Sequence, residues 1–266
     1  MPRLKRSEAE QALAGAAGPD FLEALARGLR VIEAFGRERR WLTLSDLARR
    51  VDLPRASVRR TLVTLVKLGY AEADDRLFRL TPRILTLAGA YLTSNPVSDI
   101  VQPALESLSD DVNEACSAAM LDDDEVIMIA HASPNRMLSV SAQIGFRLPA
   151  LSSSLGRVLL AAMDDEALDR FLARVDAVKL TPATVVDKAA LRRAILKARA
   201  GGFSLVDQEA EPGFRSISVP LKRRDGKVIA ALNIGVHSER APLDTMRKVF
   251  LPKLQALAAD LQQQII

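Results

Sequence analysis

The stretch TLSDLARRVDLPRASVRRTLVTLVKLGY, residues 43–70, decides the fold of the N-terminal third of the chain. Thr43 suits a helix N-cap, and Asp46, three residues later, stands where a capping box usually has Glu. Pro54 fits the first turn of a following helix, because its missing N–H is not needed there. Gly69 then ends that helix, since glycine readily adopts the left-handed conformation. The stretch therefore predicts two helices joined by a tight turn.

The flanking segments complete a recognisable order of elements. Upstream, apolar residues at steps of three and four predict a helix, carried by Leu22, Leu25, Leu29, Ile32 and Phe35. Downstream, residues 70–73 and 77–80 predict a hairpin around the turn Asp74-Asp75-Arg76. Helix, helix, turn, helix and hairpin is the order of a winged helix-turn-helix, whose third helix reads the major groove of DNA.

The charge distribution agrees with a nucleic-acid partner. Residues 1–96 contain 17 Lys and Arg against 11 Asp and Glu, whereas residues 97–266 contain 20 against 22. A basic N-terminal third favours a polyanion there, and double-stranded operator DNA is the simplest one. The alternative is a solvated amphipathic helix followed by an unrelated hairpin.

The candidate DNA-binding residues fall into three groups. On the third helix, Arg55, Ser57, Arg59 and Arg60 are predicted to contact bases or nearby phosphates, with Thr61 and Thr64 on the same polar surface. Thr43 lies at a helix N-terminus, where a phosphate is favoured. Arg76 and Arg79 lie in the hairpin, from which they can reach the backbone or the minor groove.

The remainder of the chain predicts an α+β domain with an antiparallel sheet flanked by helices. Its expected strands cover 115–121, 125–132, about 137–143, 217–221 and 228–236, the last two joined through Asp225-Gly226 in a type I′ turn. Its expected helices cover 98–114, 158–163, 165–175 and 187–200, followed by a long C-terminal helix from about Leu243 with a kink at Pro252. The predicted boundaries are a flexible arm over 1–19, the winged helix-turn-helix over 20–82, a linker helix over 83–97 and the second domain over 98–266.

Several other classes of protein are disfavoured. Cys116 is the single cysteine, so no internal disulfide is possible, and we interpret it as a buried structural residue. No apolar run approaches the ~20 residues that span a bilayer, and the charged N-terminus lacks a signal core, so we expect a cytoplasmic protein without a membrane partner. Two histidines and one cysteine predict no metal site, and no phosphate-binding or dinucleotide motif predicts a cofactor.

An enzyme is the main alternative class. Ser154, His131 and Asp207 can be drawn as a catalytic triad, but no GxSxG motif surrounds the serine. We therefore expect no catalytic residues. A second alternative is a DNA-binding protein whose larger domain only oligomerises.

Together these segments resemble the IclR-type bacterial transcription regulators over roughly residues 21–264. The resemblance is carried by LTLSDLA (42–48), SVRRTL (57–62), LGY (68–70), LPA (148–150), SLGRVLLA (154–161), GFRSISVP (213–220) and GKVIAALN (226–233). It implies a GAF-like effector domain, dimers or dimers of dimers on DNA, and contact with RNA polymerase if the protein is an activator. The sequence around residues 139–161 and 207–209 is similar to that of the family branch that controls catabolism of protocatechuate, 4-hydroxybenzoate or β-ketoadipate.

The resemblance also implies an effector site for a small aromatic or dicarboxylic acid. The family's effector positions correspond to Ser154, Leu155, Asp207, Ile217, Asn233 and Gly235. Relatives that bind very small acids have a Cys and serines where this chain has Ile217, Asn233 and Gly235, which favours a larger, partly apolar ligand.

Three further residues are candidates on their own chemistry. Ser153 and the backbone N–H groups after it precede a helix and can hold a carboxylate. Arg215 can bind an acid, or else pair with Asp207 or Glu209. His131 can face the pocket, or else be a structural histidine of its strand.

Overall fold

The computed structural model of the protein describes residues 20–35, 41–94, 96–134 and 143–265. The chain divides into two compact units after Ser94. The expected arm over 1–19 and most of the strand expected over about 137–143 lie outside the described residues.

The first unit is a winged helix-turn-helix, as predicted. Its helices are α1 (Glu23–Glu33), α2 (Leu44–Val51) and α3 (Arg55–Leu68). Its strands β1 (Leu42–Thr43), β2 (Ala71–Asp74) and β3 (Leu77–Leu80) form an antiparallel sheet in the order β1-β3-β2, and β2 and β3 are the wing. Its core is small and aliphatic, with Val31, Leu42, Leu47, Val58 and Leu62 at its centre.

The local signals around the turn are confirmed. The Thr43 hydroxyl accepts from the Asp46 backbone N–H at 3.1 Å, and the Asp46 carboxylate accepts from the Thr43 N–H at 3.2 Å, which completes the capping box. Pro54 is the N-cap residue of α3. Gly69 ends α3 with φ of +78°, a conformation that a side chain would strain.

Helix α1 departs from a simple amphipathic helix. Of its apolar residues only Val31 is buried, whereas Leu25 and Leu29 are 59 and 48% exposed, and the N-cap residue Leu22 is 70% exposed. Part of the apolar stripe that predicted α1 therefore faces solvent within this unit.

The residues expected to form one linker helix are divided between two helices. A 3-10 turn (Pro82–Ile84) leads into α4 (Leu85–Ser94), which closes the first unit. Helix α5 (Pro96–Val112) then opens the second unit.

Over residues 96–134 and 143–265, the second unit is built on one antiparallel sheet of six strands in the order β6-β5-β4-β9-β8-β7. The strands are β4 (Ala115–Asp122), β5 (Glu125–Ala132), β6 (Arg147–Pro149), β7 (Ser204–Asp207), β8 (Phe214–Lys222) and β9 (Val228–His237). The helices that follow α5 are α6 (Ser154–Leu160), α7 (Asp165–Arg174), α8 (Lys188–Gly201), α9 (Leu243–Thr245) and α10 (Leu251–Gln262). This confirms the predicted α+β class.

Two local expectations are corrected, and a third feature is added to the C-terminal helix. Helix α6 begins at Ser154, not at Val158. The β8–β9 turn is not type I′, because Gly226 has a positive φ but Asp225 does not. The C-terminal helix begins at Leu243 as expected, and a π-helical turn (Met246–Phe250) ends two residues before Pro252, whose missing N–H interrupts regular α-helical bonding.

The sheet separates two hydrophobic cores. On one face, apolar residues of β4, β8 and β9 pack against α5 and α10. On the other face, α6, α7 and α8 pack over only part of the sheet, around Ala119, Val126, Met128 and Ala231. The rest of that second face is polar.

Candidate effector site and nucleic-acid interface

A row of polar side chains crosses the polar part of the second face. His131 on β5 pairs with Ser117 on β4, Ser117 pairs with Asn233 on β9, and Asn233 pairs with Ser218 on β8. Directly paired residues on one face have Cβ atoms about 4.5–5.5 Å apart. The antiparallel register therefore brings together residues that are distant in sequence, such as Ser117 and Asn233, which are 116 positions apart.

Ser154 is bound to this row from above. Its hydroxyl is hydrogen-bonded to Ser216 and to Ser218, both at 2.7 Å, and it accepts from the Asn233 amide at 3.2 Å. Asn233 also donates to Ser218 at 3.1 Å. We call Ser154, Ser216, Ser218 and Asn233 the polar cluster; all four side chains are buried. It consists of neutral hydroxyl and amide groups in an apolar domain.

The start of α6 is positioned by close packing and capping. Ser153 is the N-cap, and its hydroxyl accepts from the Gly156 N–H at 3.0 Å, so that N–H is already satisfied. A Cβ at Gly156 would lie 2.2 Å from the Ala150 carbonyl oxygen. Only glycine allows this approach, which brings Ser154 down to the sheet.

His131 lies at the end of the row. Its Nδ1 is 2.9 Å from the Ser117 hydroxyl, with donor and acceptor roles set by the tautomer. Its backbone N–H donates to Gln102 of α5, whose amide donates back to the His131 carbonyl. Burial lowers the pKa of His131 below its ordinary value, which favours the neutral imidazole.

The structure separates other candidates from the cluster. The Arg215 guanidinium donates to Asp207 at 3.0 Å and to the Ala241 carbonyl at 2.8 Å, which is the structural alternative considered for that arginine. Ile217 departs from the expectation, because side chains alternate along β8 and Ile217 belongs to the core on the opposite face. Only its carbonyl oxygen reaches the site, accepting from Asn233 at 3.3 Å.

Two more candidates serve packing. Leu155 is buried in the core beneath α6, α7 and α8. Gly235 lies beside the cluster, and a Cβ there would be 2.6 Å from the Phe214 ring. The Phe214 ring therefore rests on the Gly235 backbone, next to Asn233.

The triad considered for an enzyme is not assembled. Ser154 is bonded within the polar cluster, His131 to Ser117, and Asp207 to Arg215. Among the described residues, no group of three or more His, Cys, Asp or Glu is placed to hold a metal ion. Burial raises the pKa of the Cys116 thiol to about 12, so Cys116 is a protonated core residue.

Residue-by-residue reasoning missed several groups at this site. They are Ser117, Ser216, Ser218, Phe214 and a buried pair, Arg157 and Glu209. The alternation Ser216-Ile217-Ser218-Val219 carried a usable signal, because it places both serines on the face opposite Ile217.

The candidate DNA-binding residues of α3 lie on two sides of that helix. Arg55, Arg59, Arg60 and Thr64 are exposed, whereas Thr61 is half-buried. The Ser57 hydroxyl accepts a long hydrogen bond of 3.4 Å from Arg27 on α1. A groove of about 420 Å³ lies between α1 and the Ser57–Thr64 side of α3. Arg60 also lines this groove, whereas Arg55 and Arg59 do not.

Two of the three remaining candidates in this unit, Thr43 and Arg79, already have partners. Thr43 is occupied by its capping box. The Arg79 guanidinium stacks over Trp41 at 4.5 Å from the ring centroid and pairs with Glu72. Arg76 is exposed at the wing turn. Of the wing cations, Arg76 is thus the better placed for a DNA backbone.

A winged helix-turn-helix followed by a separate α+β unit with a buried polar cluster defines a DNA-binding transcription regulator. The IclR helix-turn-helix domain matches residues 24–75, and the bacterial transcriptional regulator IclR C-terminal domain matches residues 89–263. The chain belongs to the IclR family, as the sequence resemblance indicated. No helix in the described ranges is long and apolar enough to cross a bilayer.

Three proteins show how far the similarity extends. The Pca regulon regulatory protein of Pseudomonas putida is 44% identical over 265 residues, covering 99% of this chain and 91% of its own. The p-hydroxybenzoate hydroxylase transcriptional activator of Acinetobacter baylyi is 31% identical over 251 residues, covering 92% and 93%. A crystal structure of an IclR homologue from Microbacterium hydrocarbonoxydans, complexed with 4-hydroxybenzoate, superposes with a TM-score of 0.77 at 29% identity, covering 91% and 98%.

Proposed function

We propose that this regulator controls genes of aromatic-acid catabolism and senses a small aromatic acid at the polar cluster. The observation that carries the proposal is the buried group of Ser154, Ser216, Ser218 and Asn233. The names of the relatives support the choice of acid, since one activates a p-hydroxybenzoate hydroxylase gene and another structure holds 4-hydroxybenzoate.

The chemistry of the cluster suits a carboxylate with an apolar body. Hydroxyl and amide N–H groups donate to carboxylate oxygens, and hydrogen bonds to a charged group are stronger than neutral ones. The arginines nearest to the cluster in sequence, Arg157 and Arg215, are both paired with carboxylates of the protein. Phe214 offers a ring surface beside the donors, which suits an aromatic ligand better than a dicarboxylic one such as β-ketoadipate.

The proposed DNA contacts come from α3 and the wing. Arg59 and Arg60 donate to base edges or phosphates, with Arg55 and Ser57 at the N-terminal end of α3. Thr61, Thr64, Arg76 and Arg79 are secondary candidates. The proposed domain limits are 20–82 for DNA binding and 98–266 for effector binding, with 83–97 between them.

The proposed assembly is a homodimer or a dimer of dimers. A dimer presents two copies of α3 to a palindromic operator, with half-sites about one helical turn apart. The exposed apolar residues Leu22, Leu25 and Leu29, at the N-cap and within α1, are suited to pack against another copy of this chain in a dimer interface. If the protein is an activator, as one relative is named, RNA polymerase is a further partner.

The decisive experiment is a titration of the full-length protein against its own upstream DNA, followed by fluorescence anisotropy at several salt concentrations. It is run without acid and with protocatechuate, 4-hydroxybenzoate and β-ketoadipate in turn. We expect selective, salt-dependent binding that one of the aromatic acids changes, because a ligand alters DNA affinity only if it binds two states unequally.

The variant Asn233→Asp tests the site. It replaces a donor with a carboxylate of nearly the same shape, and like charges repel, so we expect the Kd for the acid to rise about tenfold or more. Gln255→Glu adds the same charge at an exposed position of α10 and is the matched control. Selective DNA binding that no acid changes would reject the sensing role and leave a domain that only oligomerises.

A further inference from the structure

Two buried charged side chains, Arg157 and Glu209, lie close in sequence to members of the polar cluster without belonging to it. Arg157 on α6 donates from Nη1 to Glu209 Oε1 and from Nη2 to Glu209 Oε2, both at 2.7 Å. The side chains are only 5% and 10% exposed. Arg157 Nε donates to the Leu151 carbonyl at 2.9 Å, so all three nitrogens of its guanidinium are engaged.

Glu209 connects this pair to a second loop. Its carboxylate also accepts from the Val185 N–H at 3.0 Å, and its backbone carbonyl accepts from the Thr184 hydroxyl at 2.6 Å. The Thr181 hydroxyl donates to the Gln208 carbonyl at 2.7 Å. The ion pair thus joins α6, the loop before α8 and the loop after β7 at one buried point.

The two partners lie close in sequence to opposite sides of the polar cluster. Arg157 follows Ser154 by three residues, nearly one turn of α6. Glu209 precedes Ser216 by seven residues, in the loop that delivers β8 to the sheet. The Ser154 bonds to Ser216 and Ser218 therefore depend on how α6 stands relative to β8, and the ion pair connects α6 to the loop that leads into β8.

A buried ion pair contributes little net stability. Replacing such a pair with neutral residues of similar volume is often neutral or stabilising, because the desolvation cost disappears with the attraction. What the fork of Arg157 supplies is geometry, since a bidentate contact fixes distance and orientation together.

We infer that Arg157 and Glu209 are positioning residues that set the spacing between Ser154 and the β8 serines, and thereby the affinity for the acid. The inference rests on the proposed function of the polar cluster. The ion pair can stabilise the fold or position the effector site. If it mainly positions the site, loss of the pair should weaken effector binding more than it weakens folding.

The test uses a full-length double variant that carries both Arg157→Met and Glu209→Gln. It is compared with the full-length wild type. Gln keeps an acceptor for Val185 N–H, and the double change leaves no unpaired buried charge. We expect unfolding by urea near the wild-type midpoint and DNA affinity without acid within about twofold. The Kd for whichever of protocatechuate or 4-hydroxybenzoate acts on the wild type should rise about 2- to 30-fold.

Hydrogen exchange gives a readout that needs no acid. Backbone amides of α6 and β8 should exchange faster in the double variant, while those of α5 and α10 keep wild-type protection. The control replaces an exposed pair of the same domain, Arg192 and Asp169, by Met and Asn, and should change none of these quantities.

Three outcomes decide the inference. Unchanged acid affinity or unchanged exchange at α6 and β8 in a folded double variant overturns it. If the double variant does not fold, Arg157→Lys replaces it, keeping the charge without the fork, and wild-type exchange in that variant also overturns it. A wild type that responds to no acid rejects the proposed function instead, and exchange alone then decides whether the pair positions α6.

Discussion

The two units of this protein present their polar side chains in opposite ways. In the first unit, arginines of α3 such as Arg59 and Arg60 are exposed to solvent. In the second unit, Arg157 and Arg215 are paired with carboxylates, and the groups at the candidate site are neutral and buried. The first arrangement suits a polyanion that many cations neutralise together, and the second suits a small molecule recognised by shape and hydrogen bonds.

This difference gives each unit its own sensitivity. Affinity that depends on counterion release falls steeply with salt, whereas hydrogen bonds in a buried cluster are screened much less. The cluster is sensitive instead to small displacements of its supports, because a partly satisfied buried network is costly.

The largest effect is expected from Gly156→Ala. The new methyl group would lie 2.2 Å from the Ala150 carbonyl oxygen, so the backbone of the α6 start must move. We expect a loss of about 3 kcal/mol or more in the free energy of unfolding of the second unit, measured by urea denaturation, together with loss of the acid response. Selective DNA binding should persist if the units recognise their ligands independently.

The matched control for that change is Gly28→Ala. Gly28 lies within α1, and no atom lies within 4 Å of the place its Cβ would take. Alanine is favoured over glycine in a helix by roughly 0.5–1 kcal/mol, so this variant should be slightly more stable. Wild-type stability in Gly156→Ala would mean that the approach of α6 to Ala150 is not required.

An intermediate effect is expected from Arg59→Ala. If Arg59 contacts a base, operator affinity should fall by about 1–3 kcal/mol; if it contacts a phosphate, the slope of log affinity against log salt should fall by about one. Anisotropy at several salt concentrations distinguishes these, and acid affinity measured by calorimetry should not change. Lys197→Ala on the exposed side of α8 is the control. An equal loss of operator affinity in that variant would mean that Arg59 acts only through the net charge of the protein.

The smallest effect concerns pH. Because burial lowers the pKa of His131, this side chain binds fewer protons in the folded unit than in the unfolded chain. The contribution to stability that comes from neutral His131 is therefore fully present above the ordinary histidine pKa of about 6.5. It is lost as pH is lowered through that value. Urea denaturation at pH 7 and pH 5 should show a smaller decrease in His131→Gln than in the wild type. His237→Gln changes an exposed histidine, and an equal reduction there would exclude His131 as the source.

Local signals made the first unit predictable from its sequence. The capping box of Thr43, the proline before α3 and the glycine after it each act within a few residues. Strand β7 was not predicted, because its four residues follow Gly202 without a long alternation. The start of α6 was placed four residues late although Ser153 is a local N-cap, because glycine at position 156 is a weak helix former and the contacts that hold Ser154 on the sheet are more than 60 positions away.

The candidate site was predictable only in part. The family resemblance indicated Ser154 and Asn233, and the structure brings them together. It also indicated Ile217, whose side chain the alternation of β8 sends to the other face. The Arg157–Glu209 pair left no signal in the sequence, because its partners are 52 residues apart and meet only through the packing of α6 on the sheet.

The stacking of Arg79 on Trp41 has an optical consequence. Trp41 is the single tryptophan among 266 residues, and it stands beside the wing under a cation. Emission excited selectively at this indole therefore reports on the wing alone. A change in Trp41 emission when an acid is added would report, in real time and without a label, that acid binding in the second unit alters the wing.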